Sequence, residues 1–391
     1  MKTASKSTTL EGKRNRIFCF CENCGILLRI LIWKGTFCLR TIGRLLLSAI
    51  FLVLTGLLVL AAKYAPALVF SFYPELSRKA LSLISSVTSA IPLAVWEILA
   101  GLAVLWLLYT FVRIFTQRRS ILCWLAGIVL GVCAGLFVFV ALWGLNHFGP
   151  TVGERLNLSV REYTKEELTA ATKYYAEQVN RLSNSVSRDA QGLARVSDFE
   201  TLSKKAGAGY DALSQKYTLF TGSHDPVKKL AAWRLFSRFG ITGIFVCFTG
   251  EACVNPDTYA VWLPFTMCHE IAHRQTVAEE DGANFCAYLA CMENSSPEFQ
   301  YSGAIAAYVY CHNALYKADK TAASEIWNTL ASGVRADIQA ANDHYAQYEG
   351  KVQDAATKVN DTYLKAFSEE AGVQSYGEAA DLLIAWYLQT A

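Results

Sequence analysis

Cys268-His269-Glu270-Ile271-Ala272-His273-Arg274-Gln275-Thr276-Val277-Ala278-Glu279-Glu280-Asp281-Gly282-Ala283-Asn284-Phe285 is the stretch on which the reading of this chain turns. His269 and His273 stand four apart, so on a helix both imidazoles leave one face about a turn apart and can close on a single metal ion. Glu270 then lies beside the metal, where a carboxylate can take a proton from water that Zn²⁺ acidifies to a pKa of about 7. These residue types at this spacing point to hydrolysis, with Glu270 as general base, rather than to metal storage. The competing account is a solvated helix face that holds no metal.

A catalytic zinc site needs a third protein ligand and one open position for water and substrate. Glu280 is the expected ligand, with Glu279 in reserve. On an unbroken helix Glu280 would lie about 10 Å along the axis from His273, against a zinc–oxygen bond of about 2 Å. The helix must therefore stop soon after His273. A second helix, starting near Glu279 and running through Leu289, would fold Glu280 back to the metal. No Gly or Pro lies between Arg274 and Glu279 to mark that stop.

The pattern His-Glu-x-x-His at His269–His273, followed by Glu-x-x-Ala-Asn at Glu280–Asn284, resembles the gluzincin-type zinc metallopeptidases. That resemblance implies Glu280 as third ligand, Glu270 as general base, and an α+β zincin-like domain with a small sheet. The wider layout is similar to an uncharacterised family of bacterial three-span membrane proteins. It carries Trp-Gly-Leu-Asn after the last span (Trp143–Asn146), Phe-Thr-Gly-Glu-Ala (Phe248–Ala252), the zinc motif, and Tyr-Leu-Lys (Tyr363–Lys365). This likeness covers most of the chain beyond about residue 43. The chain departs from it at Thr276, where Gly is usual, and at Gly282, where Glu is usual.

A chain of 391 residues, 53% hydrophobic and 18% charged, is too apolar for an ordinary soluble protein and reads as membrane segments joined to a globular domain. The formal net charge of +3 is small for this length. No basic patch with interleaved aromatics suggests a nucleic-acid surface, so none is expected as partner. Of the 12 cysteines, Cys19, Cys21 and Cys24 are close in sequence but lack a fourth partner at standard zinc spacing. Cys247, Cys253, Cys268, Cys286, Cys291 and Cys311 read as buried small apolar residues, with one or two bridges left open.

Residues 1–40 form a basic segment expected on the cytoplasmic side. Within it, Gly25–Trp33 is too short an apolar run to span and reads as interfacial. Residues 41–146 form a membrane domain with spans at about 45–62, 93–112 and 120–145. The tight loop with Arg113, Arg118 and Arg119 is also basic-dense, so residues 147–391 fall outside the cytoplasmic membrane. Glu75–Ser89 has roughly helical periodicity and reads either as a helix lying along the outer surface or as an ordinary loop helix.

Beyond residue 150, Thr164-Lys165-Glu166-Glu167 is a capping-box start for a helix through about Leu182. Ile241–Phe248 is β-rich and Thr249-Gly250 turns into Glu251–Asn255. Phe245–Asn255 is expected to act as an edge strand on which an extended peptide pairs, giving Phe248, Gly250 and Glu251 as substrate-binding residues; a plain core strand is the alternative. Ala304–Tyr316 and Ala323–Tyr363 read as helical. Tyr301, Tyr310, His312 and Tyr376 are the candidate donors to a tetrahedral oxyanion.

The expectation is thus a mainly α, membrane-anchored zinc metallopeptidase. Zn²⁺ is held by His269, His273 and Glu280, and the substrate is a peptide or a membrane protein at the lipid bilayer. The rival of another class is a metal- or peptide-binding sensor or scaffold that does not cut. An intramembrane protease is disfavoured, because Arg274, Glu279, Glu280 and Asp281 make the motif's flank too polar for lipid.

Overall fold

The computed structural model describes residues 39–117, 120–366 and 379–390. The Cys19/Cys21/Cys24 group, most of the basic amino-terminal segment and Tyr376 lie outside them. The described residues begin with four long helices, α1 (Leu39–Tyr64), α2 (Tyr73–Thr88), α3 (Val95–Thr116) and α4 (Ile121–Leu142), with a five-residue helix, Pro66–Phe70, between the first two.

Helices α1, α3 and α4 are long and apolar enough to cross a membrane. Helix α1 overruns its apolar run at both ends, taking in Arg44 and Lys63. Backbone hydrogen bonding does not stop where hydropathy falls, and long cationic side chains reach back to the interface. Helix α4 stops short of the read span, at Leu142, and a 3₁₀ turn over Gly144–Phe148 follows.

Two compact units divide the chain. One joins residues up to Gly56 with Ala103–Phe137; the other joins Leu57–Leu102 with Val138–Ala391. In the first, the Arg44 guanidinium donates to the carbonyl of Cys123 and, at 3.3 Å, to its sulfur. Trp124 Nε1 donates to Thr110 Oγ1 at 3.0 Å. Polar groups on these helices therefore pair with one another, as an apolar surround demands.

The second unit contains α2, which the periodicity allowed as a surface helix. It is instead packed into the globular unit through Ser77, Leu81, Ser85 and Thr88, a stripe at helical spacing. The polar members of that stripe are matched there. Ser85 donates to Asp225 at 2.8 Å and Thr88 to the carbonyl of Thr249 at 2.9 Å, while Arg78 reaches the carbonyl of Leu219 at 3.2 Å.

The capping box at Thr164 and Glu167 starts α5 (Lys165–Leu182) as read. Three short strands then form one sheet: β1 (Lys228–Lys229), β2 (Gly243–Val246) and β3 (Glu251–Val254), in the order β1-β3-β2. Strand β1 runs parallel to β3 and β2 antiparallel, with Gly243 opposite Val254 and Val246 opposite Glu251. The expected edge strand is therefore the middle one. Strand β3 is hydrogen-bonded on both sides and buried throughout, and the edges of the sheet are β1 and β2.

Gly250, in the turn between β2 and β3, has φ +61°, and a Cβ there would come within 2.9 Å of the Leu81 carbonyl oxygen. Only glycine combines that backbone conformation with that close approach.

The core is helical: α6 (Leu263–Arg274), α7 (Glu280–Glu293), α8 (Pro297–Ala318), α9 (Ser332–Ala346), α10 (Lys351–Ala366) and α11 (Ala379–Thr390) follow the sheet. Helix α7 is buried from Gly282 to Cys291, which a helix apolar on all sides requires. Its Phe285, Tyr288 and Leu289 join a cluster shared with α5, α6, α8 and α11. Burial of each such side chain stabilises the fold by about 1.5–3 kcal/mol. The mainly helical class with a small sheet is as expected.

Candidate metal centre

Helix α6 has Pro264 in its first turn and ends at Arg274. The stop that no Gly or Pro announced is made by Thr276. The Thr276 N–H donates to the His273 carbonyl at 3.1 Å and the Val277 N–H to that of Ala272 at 3.2 Å, the bond pair of a Schellman helix end. That motif needs a left-handed residue, and Thr276 supplies it with φ +70°.

A β-branched residue there costs about 1–2 kcal/mol. Arg155 donates to the Thr276 carbonyl at 3.3 Å and to its hydroxyl at 3.4 Å, holding the strained residue in place. Below it, the Gln275 amide bridges the backbone of Gly222 and Ser223.

The chain then turns back, with Glu279 the residue immediately before α7. The Glu279 carboxylate accepts from the Val152 N–H at 3.3 Å and so faces away from the histidines. Glu280 faces them. Its oxygens lie 3.3 Å from His269 Nε2 and 3.8 Å from His273 Nε2, and the two Nε2 atoms are 3.1 Å apart. One ligand atom from each of the three residues lies within 4.8 Å of the others, the only such trio among the described residues.

The outer nitrogens fix which atoms face inward. His269 Nδ1 is 2.9 Å from Asn284 Oδ1, and His273 Nδ1 is 2.8 Å from the Val277 carbonyl. Both acceptors call for a proton on Nδ1, leaving the Nε2 lone pairs directed at each other and at Glu280. Such a convergence repels unless a cation sits in it.

Burial works against charge on His269, but the Glu280 carboxylate outweighs it and lifts its pKa; burial lowers His273 to about 4, with Glu280 opposing and His269 adding to the effect. The donor set of two imidazoles and a carboxylate fits a divalent cation of the zinc type.

Glu270 is 4% exposed and its Oε2 has no hydrogen-bond partner. Desolvation pushes its carboxyl up to about 8, with His269 opposing and Glu280 adding to the shift. Room for it is made by Gly243 on β2, where a Cβ would sit 2.3 Å from Glu270 Oε1. Glu270, His269, His273 and Glu280 all line one cavity of about 1010 Å³.

Trp143, after α4, supports the site from below. Its Nε1 donates to the His273 carbonyl at 3.1 Å, and its ring meets the His273 ring edge-on at 6.1 Å. Asn146 in turn donates to the Trp143 carbonyl at 2.8 Å.

Residue reading missed the roles of Asn284, Trp143 and Gly243. The first two stand within the segments Glu280–Asn284 and Trp143–Asn146 that carried the resemblance, so the signal was present without its physical meaning. Nothing local marked Gly243.

Phe248, Gly250 and Glu251 are not brought to the cavity. Phe248 is half exposed in the β2–β3 turn. Glu251 accepts from Lys228 at 2.5 Å and from the Val95 and Trp96 N–H groups at 2.8 and 2.9 Å, tying the start of α3 to the sheet.

Of the oxyanion candidates, Tyr301 is bound to Asp337 and Arg188, and His312 packs among Tyr308, Tyr316 and Trp327. Tyr310 lines the cavity. Burial, then the nearby Glu280, raises its pKa above the ordinary phenol value, so its hydroxyl keeps its proton.

The structure therefore defines a mainly helical protein with three helices able to cross a bilayer and, in its larger unit, a partly buried two-histidine, one-carboxylate cluster. A family profile described as a protein of unknown function, DUF3810, matches residues 72–384, and the chain belongs to that family. The match begins at the threshold of α2 and includes every residue of the cluster. No curated protein and no solved structure gives a significant match.

Proposed function

We propose that this protein is a membrane-anchored, zinc-dependent metallopeptidase of gluzincin type whose globular part faces the outside of the cytoplasmic membrane. The observation that carries the reading is Glu270. A carboxylate buried beside three convergent metal donors, with an unpartnered oxygen, is a costly thing to keep for structure alone. A sensor or scaffold would have no use for it.

His269, His273 and Glu280 would hold the ion, which when bound supplies an acidified water and polarises the scissile carbonyl. Glu270 accepts the proton of the attacking water and passes it to the leaving amine. Gly243 gives its carboxyl group room to do so. The Tyr310 hydroxyl, protonated across the working pH range, donates to the oxygen of the tetrahedral intermediate. Asn284 and the Val277 carbonyl hold the imidazoles in the tautomer that ligation needs.

The test is metal content of the detergent-purified chain, followed by proteolysis. The wild type is expected to hold one zinc per chain, with none in His273→Ala or Glu280→Gln. Glu270→Gln is expected to keep the zinc and lose cleavage of a candidate substrate by at least 100-fold. Unchanged cleavage in Glu270→Gln would refute the mechanism. A carboxyl terminus accessible to labelling only from the cytoplasm would refute the orientation.

A further inference from the structure

Helix α3 starts where the sheet holds it. Glu251 accepts from the Val95 and Trp96 N–H groups, and its partner Lys228 donates to the carbonyls of Thr88 at 2.7 Å and Leu93 at 3.0 Å. The end of α2 and the start of α3 are thus fastened to one ion pair. Glu97, in the first turn of α3, makes a second tie: its carboxylate accepts from the N–H groups of Ala231 at 2.8 Å and Ala232 at 2.9 Å. Those residues lead into a short helix, Trp233–Arg238, whose Phe236 meets the Trp96 ring edge-on at 6.0 Å. A piece of the globular unit is therefore fixed at the level where a helix able to cross a bilayer begins.

Apolar side chains are left uncovered at that level. The inner stripe of α2 is packed, but its opposite face presents Leu76, Leu83 and Val87, at helical spacing and 58, 69 and 67% exposed. The link to α3 exposes Ile91 and Leu93, and the first turns of α3 continue the surface with Ile98, Leu99 and Leu102. A soluble face this apolar is a contact surface. Its continuity with a helix of membrane-crossing length and composition makes lipid the partner it fits.

Charge narrows which lipid. On the short helix, Arg234, Leu235 and Arg238 are exposed, and the Arg234 guanidinium lies over the Trp233 ring, 4.5 Å from its centre. Lys79 pairs with Glu75 and Lys229 with Glu200, whereas Arg234 and Arg238 form no ion pair among the described residues. Glu97 and Glu251 are occupied by backbone N–H groups and Lys228. Two uncompensated arginines beside a tryptophan and a leucine make up the composition that settles between headgroups and acyl chains.

We propose that the globular unit rests on an anionic lipid surface around the start of α3, with Leu83, Val87 and Leu235 in the upper acyl region and Arg234 and Arg238 on lipid phosphates. Cations held near anionic headgroups are attracted to them, and leucine beside them reaches the acyl boundary. Neither bound metal nor hydrolysis is needed for this contact.

The test uses the full-length chain in lipid nanodiscs, with bimane attached through Leu235→Cys or, as the comparison, through Tyr316→Cys, which is exposed near the end of α8. The unsubstituted chain, taken through the same labelling, serves as blank. Discs of phosphatidylcholine mixed with phosphatidylglycerol carry a doxyl group high on the acyl chain. Doxyl lipid should quench the label at 235 at least twofold more than the label at 316, and iodide in the water should quench it at least twofold less. Arg234→Glu with Arg238→Glu should bring the lipid quenching at 235 down to the level at 316, while Arg234→Lys with Arg238→Lys should keep it. Discs of phosphatidylcholine alone should halve it.

Equal iodide quenching at the two positions would put this face in water and overturn the proposal. Protection at 235 from both quenchers would mean that protein covers the face, which overturns it as well. Equal lipid quenching in neutral and anionic discs would refute the part assigned to Arg234 and Arg238.

Discussion

Replacing Asn284 by alanine removes the side-chain acceptor that holds His269 Nδ1 at 2.9 Å, without touching any metal donor. Loss of such an outer partner typically lowers metal affinity 10- to 100-fold. The structure argues for the lower end. The partner of His273 is the Val277 carbonyl, which the substitution leaves in place, and Glu280 still contacts His269 at 3.3 Å.

A loss of about tenfold is therefore expected, equivalent to about 1.4 kcal/mol. Asn284→Asp, which offers a stronger acceptor at the same place, should bind zinc at least as tightly as the wild type. Competition against a chromophoric chelator, on protein purified in detergent, reads both values. A dissociation constant for Asn284→Ala within twofold of the wild type would show that Asn284 does not orient the ligand, and the tautomer argument would fall with it.

Three further outcomes are expected. In the metal-free protein the Glu270 pKa is raised to about 8, above its unfolded value near 4.5, so the stability it allows is present below about pH 4.5 and is lost as pH rises through 8. Relative to Glu270→Gln, thermal midpoints of the chelator-treated wild type should fall over that window by an amount corresponding to a few kcal/mol; parallel curves would refute the burial argument. Glu251→Gln should destabilise the fold by about 3 kcal/mol, because it leaves buried Lys228 without its counter-charge and removes one of the two oxygens that accept from the first N–H groups of α3, and Phe248→Ser should be near neutral. Equal melting of Glu251→Gln and wild type would contradict this. At Thr276, substitution by Gly relieves the left-handed strain while Val keeps it and loses the hydroxyl, so Thr276→Val should melt below Thr276→Gly; the reverse order would remove strain from the account of the helix end.

The three apolar helices were legible because bilayer thickness imposes a length that composition alone reveals, and α5 because a capping box is a local device. The pair His269 and His273 was legible for the same kind of reason: a spacing of four has one meaning on a helix. Strand order was not. The β-rich composition of Ile241–Phe248 and the turn at Thr249-Gly250 say that strands exist here, but pairing on both sides of β3 depends on Lys228–Lys229, more than twenty residues away. The edge expected at Glu251 thus falls on β1 and β2.

The residues 268–285 by themselves determined that two imidazoles and a carboxylate share a helix, and that the helix must break for a third donor to reach them. Only the tertiary structure decided how. It put a non-glycine residue, Thr276, into the left-handed conformation because Arg155 holds it there. It turned Glu279 outward to Val152 and Glu280 inward. And it set Asn284, Trp143 and Gly243 around the donors from three separate segments. Spacing governs what one helix presents; orientation and burial come from whatever packs against it, and that is a property of the whole chain.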